Sequence, residues 1–102
     1  MHAAYLMPIS AELDSRDESR CRFKVTYDVL LAHDVTDFDY VAICRTGMAD
    51  DSYLSWAWSS GKRFGSTTLT LRAEEADATK SFVARYVSKG GAVAYTSAPF
   101  DI

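Results

Sequence analysis

The feature of this sequence that most constrains its fold is a two-residue alternation of apolar and polar side chains. In RFKVTYDVLL (22–31), Phe23, Val25 and Tyr27 alternate with charged residues and a threonine. Side chains of a β-strand point alternately to its two faces, so this run predicts a half-buried strand. Further strands are predicted at AAYLMPI (3–9), YVAICR (40–45), SYLSWAW (52–58), STTLTLR (66–72), KSFVARYVS (80–88) and AVAYTSAPF (92–100). The chain should therefore contain about seven strands.

Polar segments that carry glycine or aspartate separate these runs. They lie at 13–19, 32–37, 47–51, 59–65 and 89–91, and turns favour such residues. Only AEEADA (73–78) has helical propensity, and it is too short for more than about one turn. Short strands with turns about every ten residues are typical of an antiparallel immunoglobulin-like β-sandwich. We predict this fold, in a single domain of residues 1–102.

The run DFDYVAIC (37–44) is predicted to be a buried central strand with a polar start. Asp37 and Asp39 precede its nearly continuous apolar part. Val41 and Ile43 share one phase of the alternation, so both are predicted to point into the core.

Composition excludes several classes of partner. The net charge is −3, and no basic stripe of the kind found in nucleic-acid-binding proteins is present. We expect no nucleic-acid partner and at most an indirect association with membranes. The start, MHAAYLMPIS, lacks the features of a secretory signal, and no apolar stretch approaches the ~20 residues of a membrane span. Cys21 and Cys44 lack metal-ligand spacing and are expected to be reduced thiols of a cytoplasmic protein.

Two longer stretches resemble the SKICH domain family. DFDYVAICRTGMADDSYLSWAW (37–58) is similar to a strand pair of that family, in which an Asp–Trp–Val–Gly–Ile-like run precedes a glycine turn and a tryptophan-bearing strand. FVARYVSKGGAVAYTSAPFDI (82–102) is similar to the closing hairpin of the family, which ends in Pro–Phe. The match covers most of the chain, from about residue 20 onwards. It departs from the family at Tyr40, usually tryptophan, and at Ala42, usually glycine.

The resemblance implies a non-catalytic immunoglobulin-like module without a cofactor. Such domains stand at the N-terminus of coiled-coil adaptor proteins of selective autophagy, where they bind other adaptors. They also occur in inositol polyphosphate phosphatases, where they direct localisation. We therefore expect a protein-interaction module of an adaptor or cytoskeletal scaffold, at the N-terminus of a longer cytoplasmic protein that oligomerises through other regions. A localisation domain of a lipid phosphatase is an alternative.

Candidates for catalysis are few. His2 lies in the N-terminal segment, where a solvated side chain is the simpler interpretation. His33 stands beside Asp34, a pair suited to proton transfer, although histidines beside aspartates are common in loops. A reactive thiolate at Cys44 is not expected within a central strand. Because no nucleophile, phosphate-binding or zinc motif is present, we predict no enzymatic activity.

A calcium- or phospholipid-binding β-sandwich is a further alternative. If the strands alternate in direction, one end of the sandwich carries the loops 13–19, 47–51 and 73–78. These loops are rich in side-chain oxygen atoms, and loops of this kind bind calcium in some proteins. The weak candidate ligands are Asp14, Asp50, Asp51, Glu75 and Asp77. Acidic turns are, however, usually only solvated. The opposite end should carry the candidate binding residues Lys62, Arg63 and Lys89, which suit an acidic peptide or a lipid headgroup.

The aromatic residues supply the remaining candidates for a binding surface, because aromatic side chains dominate interface hot spots. Trp56 and Trp58 share one strand face, and packing inward or at a sheet margin is the favoured prediction for both. Tyr53 and Tyr95, the latter next to Thr96, are predicted to lie at the surface. A partner could use the outer face of a sheet or pair with an exposed edge strand.

Overall fold

The computed structural model of the chain describes residues 8–29 and 35–102. Within these ranges lie β1 (Ile9–Arg16), β2 (Arg20–Asp28), β3 (Tyr40–Arg45), β4 (Ser55–Trp58), β5 (Phe64–Arg72), α1 (Ala73–Ala78), β6 (Phe82–Val87) and β7 (Val93–Thr96). All strand pairings are antiparallel, in the order β1-β2-β5 in the first sheet and β4-β3-β6-β7 in the second. The predicted antiparallel immunoglobulin-like β-sandwich of about seven strands is confirmed.

The core lies between the two sheets and is built from alternate residues of their strands. Burial alternates along β2, as the sequence pattern predicts. Phe23 of the first sheet meets Phe82 of the second, with their ring centroids 5.2 Å apart. Val41 and Ile43 of β3 are fully buried in the same core, so the prediction for the central strand is confirmed.

The first strand and the first turn differ from the prediction. The predicted strand 3–9 overlaps β1 only at Ile9, and residues 3–7 lie outside the described ranges. The predicted turn 13–19 is too long, because β1 continues to Arg16 through a break in register at Asp14. Such a β-bulge adds one residue to one strand without ending the pairing, and it interrupts the strict alternation on which the prediction depended.

A tight turn joins β4 of the second sheet to β5 of the first. Ser60 and Gly61 both have positive φ angles, of 59° and 73°, and the Lys62 N–H donates to the Ser59 carbonyl at 3.2 Å. Two consecutive residues with positive φ define a type I′ turn. A Cβ atom on Gly61 would lie 2.6 Å from Oδ1 of Asp37, so this position requires glycine for space as well as for conformation.

Asp39, just before β3, connects three loop segments at one end of the sandwich. Its side chain is only 1% exposed. The carboxylate accepts hydrogen bonds from the Tyr86 hydroxyl (2.7 Å), from the Thr36 main-chain N–H (3.1 Å) and hydroxyl (2.9 Å), and from the Lys89 main-chain N–H (3.0 Å). The Asp39 carbonyl accepts the N–H of Ser59 at 3.0 Å. The segments around residues 36, 59 and 89 therefore meet at one end, as simple alternation of strand direction requires.

These contacts fix the protonation states of Asp39 and Tyr86. Burial raises the pKa of the Asp39 carboxyl group, but the hydrogen bonds from Tyr86, Thr36 and Lys89 outweigh it and leave the pKa below its usual value. Burial, together with the bond to Asp39, raises the pKa of Tyr86 to about 12. At neutral pH a charged carboxylate therefore accepts a hydrogen bond from a neutral phenol.

The short helix and the cysteines agree with the sequence. α1 is the single-turn helix predicted at 73–78. Cys21 and Cys44 are both free and buried, and burial raises the pKa of the Cys44 thiol. Among residues 8–29 and 35–102, no helix combines the length and the apolar character needed to cross a membrane.

Candidate functional site

Strand register places both tryptophans on the outer face of the second sheet. Trp56 lies opposite Ala42 and Trp58 opposite Tyr40, whereas Ala57 lies opposite the core residue Val41. The two indole side chains are 38% and 51% exposed. Inward packing of Trp56 and Trp58 is therefore wrong, whereas the alternative prediction of a position at a sheet margin agrees with their place in β4, at one end of the strand order of the second sheet.

The physical reason is a change of phase at the start of β4. Leu54, which shares a phase with the tryptophans in the sequence, precedes the strand and packs against the core. Its N–H donates to the Ile43 carbonyl at 2.8 Å, although Ile43 is paired in register with Ser55. The alternation is thus broken between Leu54 and Trp56, and Ala57 takes the inward position.

Five aromatic rings form a continuous group on this outer face. We call this group the aromatic cluster; it consists of Phe38, Tyr40, Tyr53, Trp56 and Trp58. The shortest ring contact is between Trp56 and Trp58, whose centroids lie 4.8 Å apart with planes at 86°. Tyr40 touches Trp56 at 5.6 Å, Trp58 at 6.2 Å and Tyr53 at 6.1 Å, each in an edge-on arrangement. Phe38 extends the group by a contact of 6.4 Å with Trp58.

The aromatic cluster remains largely open to solvent despite these contacts. Phe38 is 60% exposed and Tyr53 44%, whereas Tyr40 is half-buried beneath its neighbours. Phe38 was not predicted as a site residue. A large apolar side chain between Asp37 and Asp39, at the polar start of the predicted central strand, was the one signal that could have identified it.

The loop between β3 and β4 positions Tyr53. Arg85, almost fully buried on the same sheet face, donates from its guanidinium group to the carbonyls of Met48 (2.6 Å) and Ala49 (2.8 Å). The Cys44 thiol donates to the Ser52 carbonyl at 3.5 Å. These contacts fold the loop over one part of the outer face, so that it buries that part and leaves the aromatic cluster exposed beside it.

Two shallow concavities lie on the aromatic cluster. One, of about 170 Å³, is lined by Tyr40, Tyr53, Trp56 and Trp58. The other, of about 350 Å³, is lined by Asp37, Phe38, Trp58 and Ser60.

The charges around the aromatic cluster are mixed. Burial raises the pKa of the Tyr40 hydroxyl, and so do the neighbouring Tyr53, Cys44 and the carboxylate of Asp51. At the other side of the cluster, the Lys89 ammonium lies 5.8 Å from the centroid of the Phe38 ring.

The other predicted binding residues are dispersed. Tyr95, predicted at the surface, packs against the core instead, because its register partner Tyr86 points inward and places it on the inner face. Thr96 is exposed on β7, at the opposite edge of the second sheet from β4. Lys62 and Arg63 lie in the connection from β4 to β5, and both are exposed. Of the basic candidates, Lys89 is the residue placed against an aromatic ring of the cluster.

The candidate calcium ligands lie in three separate elements. Asp14 is at the bulge of β1, Asp50 and Asp51 are in the loop after β3, and Glu75 and Asp77 are in α1. Some carboxylates near β1 and α1 are already paired with arginines: Asp77 with Arg16, Asp17 with Arg22, and Glu74 with Arg72. In the part of the chain that the structure describes, no three His, Cys, Asp or Glu side chains are grouped so that they could hold a metal ion.

The catalytic candidates His2, His33 and Asp34 lie outside the described residues. Comparison with known proteins adds no relative: no protein-family model, no curated protein and no solved structure matches the chain. The SKICH resemblance thus stays a prediction from the sequence motifs.

Proposed function

We propose that this chain is a non-catalytic protein–protein interaction module that binds its partner through the aromatic cluster. The observation that carries the proposal is the exposure of four adjacent aromatic side chains, Phe38, Tyr53, Trp56 and Trp58, on one sheet face. Single exposed apolar residues are normal on a protein surface, but contiguous apolar patches mark interaction sites. Tryptophan and tyrosine are also the residues most enriched in binding hot spots.

The position of the aromatic cluster at an edge strand supports the proposal further. Among residues 8–29 and 35–102, β4 pairs only with β3, so no described strand pairs with its other side. One residue beyond the paired positions Tyr40 and Trp58, the Ser59 N–H donates a hydrogen bond to the Asp39 carbonyl. Because such bonds alternate along an antiparallel pair, the main-chain groups of Trp56 and Trp58 point away from β3. A partner segment could therefore contact the indole rings and hydrogen-bond to the main chain of the same two residues.

The wider setting of this module follows from the SKICH resemblance. The resemblance supports a cytoplasmic protein without a cofactor, either an adaptor or a cytoskeletal scaffold. Regions of that protein outside this domain are proposed to drive its oligomerisation. The sequence that follows Ile102 in the intact gene product tests this setting: coiled-coil heptads favour an adaptor, and a catalytic domain favours the lipid-phosphatase alternative.

Affinity capture with matched variants tests the binding surface. The bait proteins are the wild-type chain, a Trp56→Ser/Trp58→Ser double variant and a Phe64→Ser control. Phe64 is a suitable control because it is 66% exposed but lies on the first sheet. A protein captured by wild type is then purified, and its direct binding is measured by calorimetry.

We expect the control to bind like wild type and the double variant to bind at least about thirtyfold more weakly, the size of a typical hot-spot loss. Equal affinity of all three purified baits for every captured protein, with the variants folded by circular dichroism, would remove the aromatic cluster as the binding surface.

A further inference from the structure

The four rings that line the smaller concavity are arranged at steep angles to one another. The planes of Trp56 and Trp58 are 86° apart, those of Tyr40 and Trp58 88°, and those of Tyr40 and Tyr53 77°. A flat ligand is sandwiched best between parallel aromatic faces, which none of these three ring pairs offers. Steeply angled rings instead surround a compact, branched group from several directions.

The electrostatics of this concavity favour a cation. The face of an aromatic ring carries a partial negative charge, and tryptophan attracts cations most strongly of the aromatic side chains. All four lining residues are aromatic, and the Asp37 carboxylate lines the adjoining concavity together with Trp58. The same outer face already holds an ammonium group, since Lys89 Nζ lies over the ring of Phe38.

We infer that the concavity of Tyr40, Tyr53, Trp56 and Trp58 binds the methylated ammonium group of a lysine side chain in the protein partner. The inference rests on the proposed function, because the partner presents the group. Methylation removes N–H groups that would otherwise hold water, so a methylated ammonium enters a ring-lined site at a lower desolvation cost than lysine does.

A protein is a better source of this group than a choline lipid. In a choline headgroup, a phosphate lies next to the ammonium, and the Asp37 carboxylate, which lines the adjoining concavity with Trp58, would repel it. A methylated lysine lies on a peptide chain, and the open side of β4 offers main-chain groups to such a chain beside the concavity.

Tryptophan fluorescence gives a direct test, because the protein has two tryptophans and both line the site. The full chain is titrated with N-acetyl-trimethyllysine amide and with a neutral analogue in which carbon replaces the ammonium nitrogen. We expect a saturable change with the cation and about fivefold weaker binding of the analogue, the size of an exposed cation–π contribution. Equal binding of the two probes, or no saturable change with the cation, would overturn the inference.

Two variants localise the signal without removing either tryptophan. Tyr53→Leu keeps an apolar side chain but removes one lining ring, and we expect it to weaken binding of the trimethyllysine probe about threefold or more. Phe64→Leu on the first sheet is the matched control and should bind like wild type. Identical binding by Tyr53→Leu and wild type would place the probe elsewhere and contradict the inference.

The test separates this inference from the proposed function. If the probe does not bind but purified partners still lose affinity for the Trp56→Ser/Trp58→Ser variant, the methyllysine site is wrong and the interaction surface stands. Co-sedimentation with phosphatidylcholine vesicles is an additional experiment that tests for a lipid ligand. Vesicle binding that depends on Tyr53, without binding of the trimethyllysine probe, would assign the site to a lipid and overturn the choice of partner.

Discussion

The outer faces of the two sheets have the same strand pattern but opposite chemistry. On the first sheet the outward positions of β2 and β5 are polar except for Phe64 at the start of β5, and they include the exposed Lys24, Thr26, Thr68 and Thr70. On the second sheet the outward positions of β3 and β4 carry Tyr40, Trp56 and Trp58 of the aromatic cluster.

The difference shows which part of the sequence is explained by folding alone. Both sheets need large apolar residues on their inner faces, but neither needs them outside. The outer face of the first sheet is rich in threonine, a residue that favours strands and is compatible with solvent. Folding alone therefore explains the composition of this face. The indole rings of the second face expose apolar area to water, which is unfavourable for an isolated domain, and the partner proposed above would cover this area.

The shared core should respond most strongly to mutation. Phe82→Ala removes a fully buried ring that packs against Phe23 and Phe100, and we expect a loss of about 3–5 kcal/mol in the free energy of unfolding. Urea denaturation measures it. Because both sheets rest on this core, amide hydrogen exchange should accelerate in β2 and β3 together. Acceleration confined to one sheet would show that the two faces do not share one cooperative unit.

The loop end under the aromatic cluster should respond next. Asp39→Asn removes the charge that four hydrogen bonds satisfy, and we expect a loss of about 2–3 kcal/mol, with faster hydrogen exchange at Thr36 and Lys89. The Asp37→Asn variant is the control, because Asp37 is exposed and should change stability by less than about 0.5 kcal/mol. Equal stability of the two variants would contradict the role given to Asp39.

The same residue predicts a dependence of stability on pH. The pKa of Asp39 is lowered in the folded state, so its contribution is fully present above the unfolded value of 3.8 and is lost as the pH falls through the folded pKa. Urea denaturation between pH 7 and pH 2 should show wild type losing more stability in acid than Asp39→Asn. Parallel curves for the two proteins would exclude this contribution.

Removing exposed rings should have the smallest effect on stability. Trp58→Thr gives one position on the outer face of the second sheet the threonine that is common on the outer face of the first sheet. Phe64→Thr is the matched control on the first sheet. Each should change the free energy of unfolding by no more than about 1 kcal/mol, since both side chains are at least half exposed. A loss of several kcal/mol with Trp58→Thr alone would mean that the aromatic cluster stabilises the fold and would weaken the case for a partner.

The sequence predicted the fold better than the site because alternation specifies that a strand has two faces without saying which face is inside. For β3 the choice of the inner face matters little, because its apolar run is buried on both faces of the sheet. For β4 the answer depends on pairing with β3, where Trp56 lies opposite Ala42 and Ala57 opposite Val41. That register involves residues distant in the chain, and the local sequence of Leu54, Trp56 and Trp58 suggested the opposite phase.

The role of Asp39 was equally inaccessible from local sequence. The sequence predicted only that Asp39 stands at the polar start of the central strand. Its main side-chain partner, Tyr86, is 47 positions away, and the bond forms only when β3 and β6 are adjacent. The helix at 73–78, by contrast, depends on a local run of helix-forming residues, and its bounds were predicted correctly.

The central claim is that the second sheet, at β4, is the partner-binding face. Mapping by NMR tests it most directly: a ¹⁵N-labelled chain is titrated with a purified protein captured by wild type, and the perturbed signals are assigned. We expect the indole N–H signals of Trp56 and Trp58 and the amide signal of Ala42 to shift or broaden, while the amide signals of Lys24 and Thr68 stay unchanged. Perturbation of the first sheet with both indole signals unaffected would contradict it.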